Sequence, residues 1–257
     1  MVNESNSCCA AAVKTFVRNR YFYGKLLDVL HFEMEQDYFN AKRWLLNRLV
    51  TGYGVVCGLD VRVGQDGKSV VVQPGLAIDK WGREITLPAA SDPVPLPAPP
   101  PPPKAAAQGE CDDSNWFYLV LCYHECQSDP VPALGGDCDQ NALCSPGAIR
   151  ERYELCFRQG KLQDVSTDCR VPDLISGSRI NYPALATYVS KPCPPCPDDP
   201  CIPLANVRVP LDGAKLDQGQ INIAIRPIVY MADLLYDLLI CLTANSGNQD
   251  CRPGGKN

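Results

Sequence analysis

Apolar residues recur with helical spacing over 28–50 and with alternating spacing through much of the chain beyond. Met34, Tyr38, Ala41, Leu45 and Leu49 fall on one stripe of a helix, and Phe32, Phe39, Leu46 and Val50 widen it. Glu33, Glu35 and Asp37 lie near the start of this stretch and Lys42, Arg43 and Arg48 nearer its end, the order a helix dipole favours. Thr51 and Gly52 stop it. Beyond Gly52 the period falls to two: GVVCGLDVRV, SVVVQPGLAIDKWG and REITLP are rich in β-branched residues and are split by glycine-bearing turns. QDGK at 65–68 predicts a hairpin, because Asp-Gly accepts the positive φ of a tight turn. WFYLVLCYHE predicts a buried strand. AIRERYELCF alternates imperfectly and is read as a strand because its flanks are β. After a turn at Asp212 and Gly213, INIAIRPIV resumes the alternation, and MADLLYDLLICL predicts a terminal helix.

Proline sets the limits of this pattern. Residues 88–103 hold nine prolines, ending in a run of five, so a ladder should not continue through them and polyproline II is expected. The expected fold is mainly β: β-sandwich-rich, with a long N-terminal helix, a polyproline loop and a short C-terminal helix. The expected organisation is an arm at 1–20, flexible or partner-bound, then one structural domain at 21–242 with its proline-rich loop at 88–110, then a flexible tail at 243–257.

Charge and cysteine content narrow the function. A net charge of -5 gives no overall attraction to nucleic acid or to an anionic bilayer, so a protein partner is expected. No secretory signal is seen, and no stretch reaches the roughly 18 uncharged residues of a spanning helix. IVYMADLLYDLLICL is short and carries Asp233 and Asp237. Synthesis and assembly in the cytoplasm are therefore expected, without direct insertion into a membrane. The chain has 15 cysteines, an odd number that intrachain disulfides cannot exhaust. Cys193 and Cys196 form CPPC, a spacing that suits zinc, and Cys122, Cys126, Cys138 and Cys144 are candidates to complete such a site. Disulfides and unpaired structural thiols are equal alternatives.

Catalytic chemistry is thinly represented. His31 and His124 have no nucleophile motif beside them, and the Asp112–Asp113 and Asp198–Asp199 pairs lack a surrounding constellation. Gly52, Gly54 and Gly58 follow a helix and enter a strand, the reverse of a dinucleotide-binding turn. No enzymatic activity and no required cofactor are expected, although a structural zinc fits the cysteines.

The segments YFYGKLLDVLHFEMEQDYFNAKRWLLNRLVTGYGVVCGLDV, VVVQPGLAIDKWGREITLP, YLVLCYHECQSDPVP and SPGAIRERYELCF together resemble a baseplate-associated structural family of phage-tail-like contractile injection systems. Their order is loosely similar to the N-terminal shell region of the type VI secretion baseplate trimer protein. The resemblance implies a non-catalytic structural or adaptor subunit that holds baseplate, sheath-proximal or peripheral neighbours in register. It also implies a homo-oligomer, and an extracellular stage once the particle is released. On this reading Tyr21, Phe22 and Tyr23 are aromatic anchors, Lys25 orients entry to the helix, Glu35, Asp37, Arg43 and Arg48 set register, and Trp44 is the preferred single interface residue. Covering the chain's own β core is the competing role for the aromatics, and it is weighed slightly ahead. Gly52, Gly54 and Gly58 would permit the passage from helix to sheet, and Arg150 and Glu154 would form a structural pair. Two alternatives remain: a recognition module for cell envelope, receptor or glycan, and a metal-dependent or thiol enzyme.

Overall fold

The computed structural model describes residues 15–98, 114–132, 144–166, 175–176, 179–211 and 213–247. The fold is mainly β, with an N-terminal and a C-terminal helix. Helix α1, Val29–Leu46, leads through a π-helical turn, Asn47–Thr51, into the strands. The first strands are β1 (Gly54–Gly58), β2 (Val61–Val63), β3 (Ser69–Val72), β4 (Gly75–Ile78), β5 (Glu84–Leu87) and β6 (Val94–Pro95). The long β7 (Trp116–Pro132) and β8 (Cys144–Gln159) come next, then the ribbon of β9 (Ile175–Ser176) and β10 (Arg179–Ile180). Helix α2 (Tyr182–Val189), β11 (Ile202–Arg208), β12 (Ile221–Asn222) and helix α3 (Ala232–Gly247) complete the order.

Besides the ribbon, three antiparallel sheets form, ordered β1-β4-β5, β2-β3-β6 and β12-β11-β7-β8. Alternation dictates what they bury. Val61, Val70 and Val72 from one sheet meet Ala77, Ile85 and Leu87 from another, and Leu119, Leu121, Ile202, Leu204 and Val207 from the third, in a single core. The β2–β3 hairpin turns at Asp66 and Gly67 (φ +66°), where Asp66 accepts from the Lys68 N–H and the Ser69 hydroxyl.

Four departures from the sequence pattern have local causes. The proline-rich segment does join a ladder: β6 pairs with β3, and Leu96 N–H donates to Lys68 O at 2.9 Å. Prolines 93, 95 and 97 alternate with Val94 and Leu96, so their missing donors fall on the side away from β3. INIAIRPIV yields only the two residues of β12. Its continuation, after a turn at Ala224 and Ile225, crosses to β1 as a parallel bridge between Val55 and Ile228. Helix α2 is an element that the apolar periodicity does not predict, although Asn181 caps it by accepting from Ala184 N–H and Pro183 sits in its first turn. Helix α3 runs on to Gly247 and so absorbs the first residues of the expected tail.

Strand β11 pairs with β7 only over residues 116–121, whereas β8 stays paired with β7 from Phe117 out to Pro132. Beyond Leu121 the β7–β8 hairpin continues as a two-stranded ribbon, in which Tyr123 and Tyr153 still pack against the core. Residues 99–113 and 133–143 lie outside the described residues, as does Cys138.

Candidate protein-docking surface

Helix α1 is built to start sharply. Asp28 accepts from the His31 N–H at 3.2 Å, and the His31 ring returns to the Asp28 N–H and carboxylate, which makes a reciprocal cap. The chain ahead of the helix reverses at Tyr23 and Gly24, where Lys25 N–H donates to Phe22 O at 3.1 Å. It then lies back along α1. The Phe16 ring meets Tyr38 edge-on at 6.3 Å, Lys42 Nζ sits 5.0 Å from the Tyr38 ring centre, and the Tyr21 hydroxyl donates to Glu35 Oε2. The Lys42 contact draws the Tyr38 phenol below its ordinary pKa, and the bond to Glu35 pushes that of Tyr21 up. The described part of the expected arm is thus bound to its own helix.

None of the 18 residues of α1 is buried. Phe32, Phe39, Leu46 and Val50 are each more than half exposed, as are Tyr21, Phe22, Leu26 and Leu30, and Tyr23 is fully so. The aromatics of the arm do not cover the chain's own core. An amphipathic helix ordinarily buries its apolar face, so a face this exposed is a candidate docking surface.

The helix is held to the sheets at its C-terminal end. Gly82, at the tip of the β4–β5 hairpin with φ +94°, lies so close that an added Cβ would stand 2.0 Å from the Trp44 carbonyl oxygen. Asn47 Nδ2 donates to Gly82 O and to Glu84 Oε1, both at 2.8 Å, and Arg43 Nε lies 3.3 Å from Glu84. Trp44 is half-buried here and its indole N–H is enclosed, so it belongs to the anchorage and not to the exposed stripe.

That hairpin tip is rigid because of Asp79, which is fully buried. Its carboxylate accepts from the Trp81 and Arg83 N–H groups and from Arg83 Nε at 2.7 Å, while burial pushes its pKa above the ordinary value against the pull of Arg83. The Arg83 guanidinium lies over the Trp81 and Tyr123 rings, at 4.7 and 4.4 Å. The CPPC loop is strapped over this tip at a fixed interval. Arg48 Nη1 donates to Pro194 O at 2.8 Å, Trp81 Nε1 to Pro197 O at 2.8 Å, and Lys80 N–H to Pro200 O at 3.0 Å. The three accepting carbonyls are spaced three residues apart along the loop. Arg158 closes the strap with a bidentate bond to Asp199 and holds that carboxyl below its usual range.

The remaining expected site residues are dispersed. Gly54 (φ +138°) and Gly58 (φ +66°) are demanded by close backbone, since a Cβ would meet Pro227 O at 2.4 Å and Pro74 O at 2.1 Å, whereas Gly52 (φ +89°) faces open space. Arg150 pairs with Asp129 across the hairpin, at 3.0 Å, in place of the expected Glu154. Four residues along a strand span about 13 Å, too far for that pair, and Glu154 stands opposite Cys122. Cys122 is bonded to Cys201, and Cys196 is also in a disulfide, so neither is free to bind zinc in this structure. Cys126, Cys144 and Cys193 are free thiols, but no group of three or more candidate ligands gathers among the described residues. Sequence reasoning gave Gly82 only a part in shaping a strand turn, and it missed Asn47, Asp79 and Trp81.

No helix among the described residues is long and apolar enough to cross a membrane. No protein-family model matches the chain, and no curated protein does. Among solved structures, a crystal structure of TssK aligns with a TM-score of 0.40 and 15% identity, over 94% of this chain and 51% of that one. This chain therefore spans about half the length of that neighbour, and a score so low establishes neither a shared family nor a shared function.

Proposed function

We propose that this protein is a non-catalytic structural or adaptor subunit in the baseplate region of a contractile, phage-tail-like injection particle, where it holds neighbouring subunits in register. The observation that carries the reading is helix α1, none of whose 18 residues is buried within the chain while its C-terminal end is bonded to the sheets. A helix fixed at one end, with exposed apolar residues from Val29 to Leu46, is a peg for a neighbour. The context of an injection particle comes from the sequence resemblance of the arm, the helix and the SPGAIRERYELCF segment. Tyr21, Phe22 and Tyr23 are the anchors at the arm's tip, and Lys25, Asp37 and, at the far end of the helix, Arg48 are polar contacts that fix register.

The test is assembly. F22D and Y23D change residues that touch solvent, so the chain should fold as before, and its recovery with purified particles should fall at least about tenfold. Particles that incorporate both variants normally would refute the reading. The two-stranded part of the β7–β8 hairpin favours one alternative, a recognition module for envelope or glycan. Saturable binding of the full chain to such a ligand, abolished by changes at the ribbon and untouched by F22D, would establish that alternative instead.

A further inference from the structure

Between the arm and helix α1 lies a cavity of about 600 Å³, walled by Arg18, Asn19 and Arg20 of the arm and by Glu35, Tyr38 and Phe39 of the helix. Its hydrogen-bonding capacity is unbalanced. Asn19 is only 9% exposed, and its carbonyl oxygen accepts from Lys25 Nζ. An ammonium can only donate, so that bond fixes which end of the amide is oxygen and leaves Nδ2 enclosed without an acceptor. The nearby Tyr21 hydroxyl, whose pKa Glu35 raises and Asn19 pulls down, is not in bonding geometry with Nδ2 and gives its proton to Glu35. Tyr38 is open in the same way. Its oxygen accepts from Lys42 Nζ at 3.1 Å, and no acceptor for its own proton stands among the described residues. Arg18 and Arg20 are exposed, and neither guanidinium has a hydrogen bond or ion pair among the described residues. Against these donors the cavity offers one open acceptor, Glu35 Oε1, since Tyr21 uses Oε2.

Charge is unbalanced in the same sense. The chain carries -5 overall, yet Arg18, Arg20, Lys25 and Lys42 gather here around the single carboxylate of Glu35. Glu33 and Asp37 each fall about 160° from Glu35 around the helix, so they do not offset these cations. Donors in excess and a local positive field call for an anion rich in acceptors. The chemistry of Glu35 selects among anions. Its carboxylate would repel a phosphate dianion, whereas its open oxygen suits an N–H donor. A peptide supplies both kinds of group: carboxylates for the arginines, further oxygens for Tyr38 and Asn19, and a backbone N–H for Glu35.

We propose that the cleft between arm and helix receives an acidic segment of a neighbouring protein, with Arg18 and Arg20 on its carboxylates and the open donors of Tyr38 and Asn19 on its oxygens. The proposal rests on the reading of arm and helix as a docking surface, and gives the chemistry of the segment that docks.

The probe is acetylated, amidated hexaglutamate, titrated to about 5 mM into the full chain labelled with nitrogen-15. Saturable shifts should appear at the Asn19 side-chain amide and at the backbone amides of residues 18–20, with a Kd below about 1 mM that rises with salt. Hexaglutamine should give none. R18A with R20A should weaken binding at least about tenfold and leave the rest of the spectrum unchanged. Because neither guanidinium is bonded within the described residues, a purely structural role predicts no such loss. N19D keeps an acceptor for Lys25 but puts a carboxylate where the open donor stood, and should abolish the shifts. No saturable shift with hexaglutamate, equal shifts with hexaglutamine, or binding indifferent to R18A and R20A would overturn the proposal. Inorganic phosphate that binds the same amides as tightly would overturn the protein segment in favour of a free anion. If the cleft fails while F22D and Y23D still keep the chain out of particles, the docking reading stands without it. If the cleft binds while those variants enter particles normally, the acidic ligand stands and the particle is removed as its source.

Discussion

Replacing Gly82 with alanine should undock helix α1 without dismantling the sheets, and Gly52 supplies the matched control. Both glycines have nearly the same positive φ, +94° and +89°, which costs a residue with a Cβ about 1–2 kcal/mol. At Gly52 nothing lies within 4 Å, so G52A should cost that much and no more. At Gly82 the new Cβ would stand 2.0 Å from Trp44 O and within 2.9 Å of two more backbone atoms of Trp44, and no side-chain rotation can relieve backbone overlap. The helix end must move away and take Asn47 from Gly82 O and Glu84. Two such bonds are worth about 2 kcal/mol together, which brings G82A to about 3–4 kcal/mol.

Amide exchange reads this directly. Because α1 is only 18 residues long and a free helix of such length is marginal in water, release of its anchored end should speed exchange along it. The extra 2 kcal/mol over G52A corresponds to about 30-fold, with amides of β3 and β11 unchanged. Equal exchange in α1 for the two variants, or a loss of protection that begins in β3, would refute the argument that Gly82 is the footing of the helix.

The other predictions concern the base beneath that footing. D79A leaves the Arg83 guanidinium uncompensated between Trp81 and Tyr123, and should lower stability in urea by about 3–5 kcal/mol. Arg158 holds the Asp199 carboxyl below its unfolded value, so the stability it contributes is present above that value, about 3.9, and is lost as pH falls through the folded pKa. Protection of the Cys201 amide, which donates to Asp199, should fall in that acid range, and D199N should remove the dependence. Reducing Cys122–Cys201 releases a constraint between positions 79 residues apart, worth about 4–5 kcal/mol by chain entropy. Exchange should then rise first in β7, β8 and β11, with α1 responding later.

Periodic burial was legible in the sequence, and contacts between distant turns were not. Val61, Val70, Val72, Leu119 and Leu121 announce their strands because each alternates with residues that face elsewhere. Helix α1 was legible for the same reason, but periodicity reports which residues share a face and not what covers that face. Phe32 and Phe39 would read identically over a core or in solvent. Asn47 and Gly82 are 35 positions apart, and only the folded hairpin brings them together. Trp44 could not be told apart from the exposed stripe, because its position depends on the arrival of Gly82. Nor does a set of 15 cysteines reveal that Cys122 pairs with Cys201, which lies at the start of the strand beside it. The strap is an intermediate case: its prolines mark it in the sequence as irregular chain, and only the fold brings the donors of Arg48, Trp81 and Lys80 to it.

These contacts connect in one direction. A load applied to the arm or to α1 passes into the sheets through residues 43–48, and there it meets the hairpin tip stiffened by buried Asp79. The strap crosses the same tip, and its far end is held by Asp199 against Arg158 and by Cys201 bonded to Cys122. Oxidation and acid therefore act on the base of the peg, while the apolar stripe that would meet a neighbour contains no cysteine and no carboxylate. A subunit built this way can keep its docking face unchanged between a reducing compartment and an oxidising one, because what changes with the surroundings is the stiffness of the support.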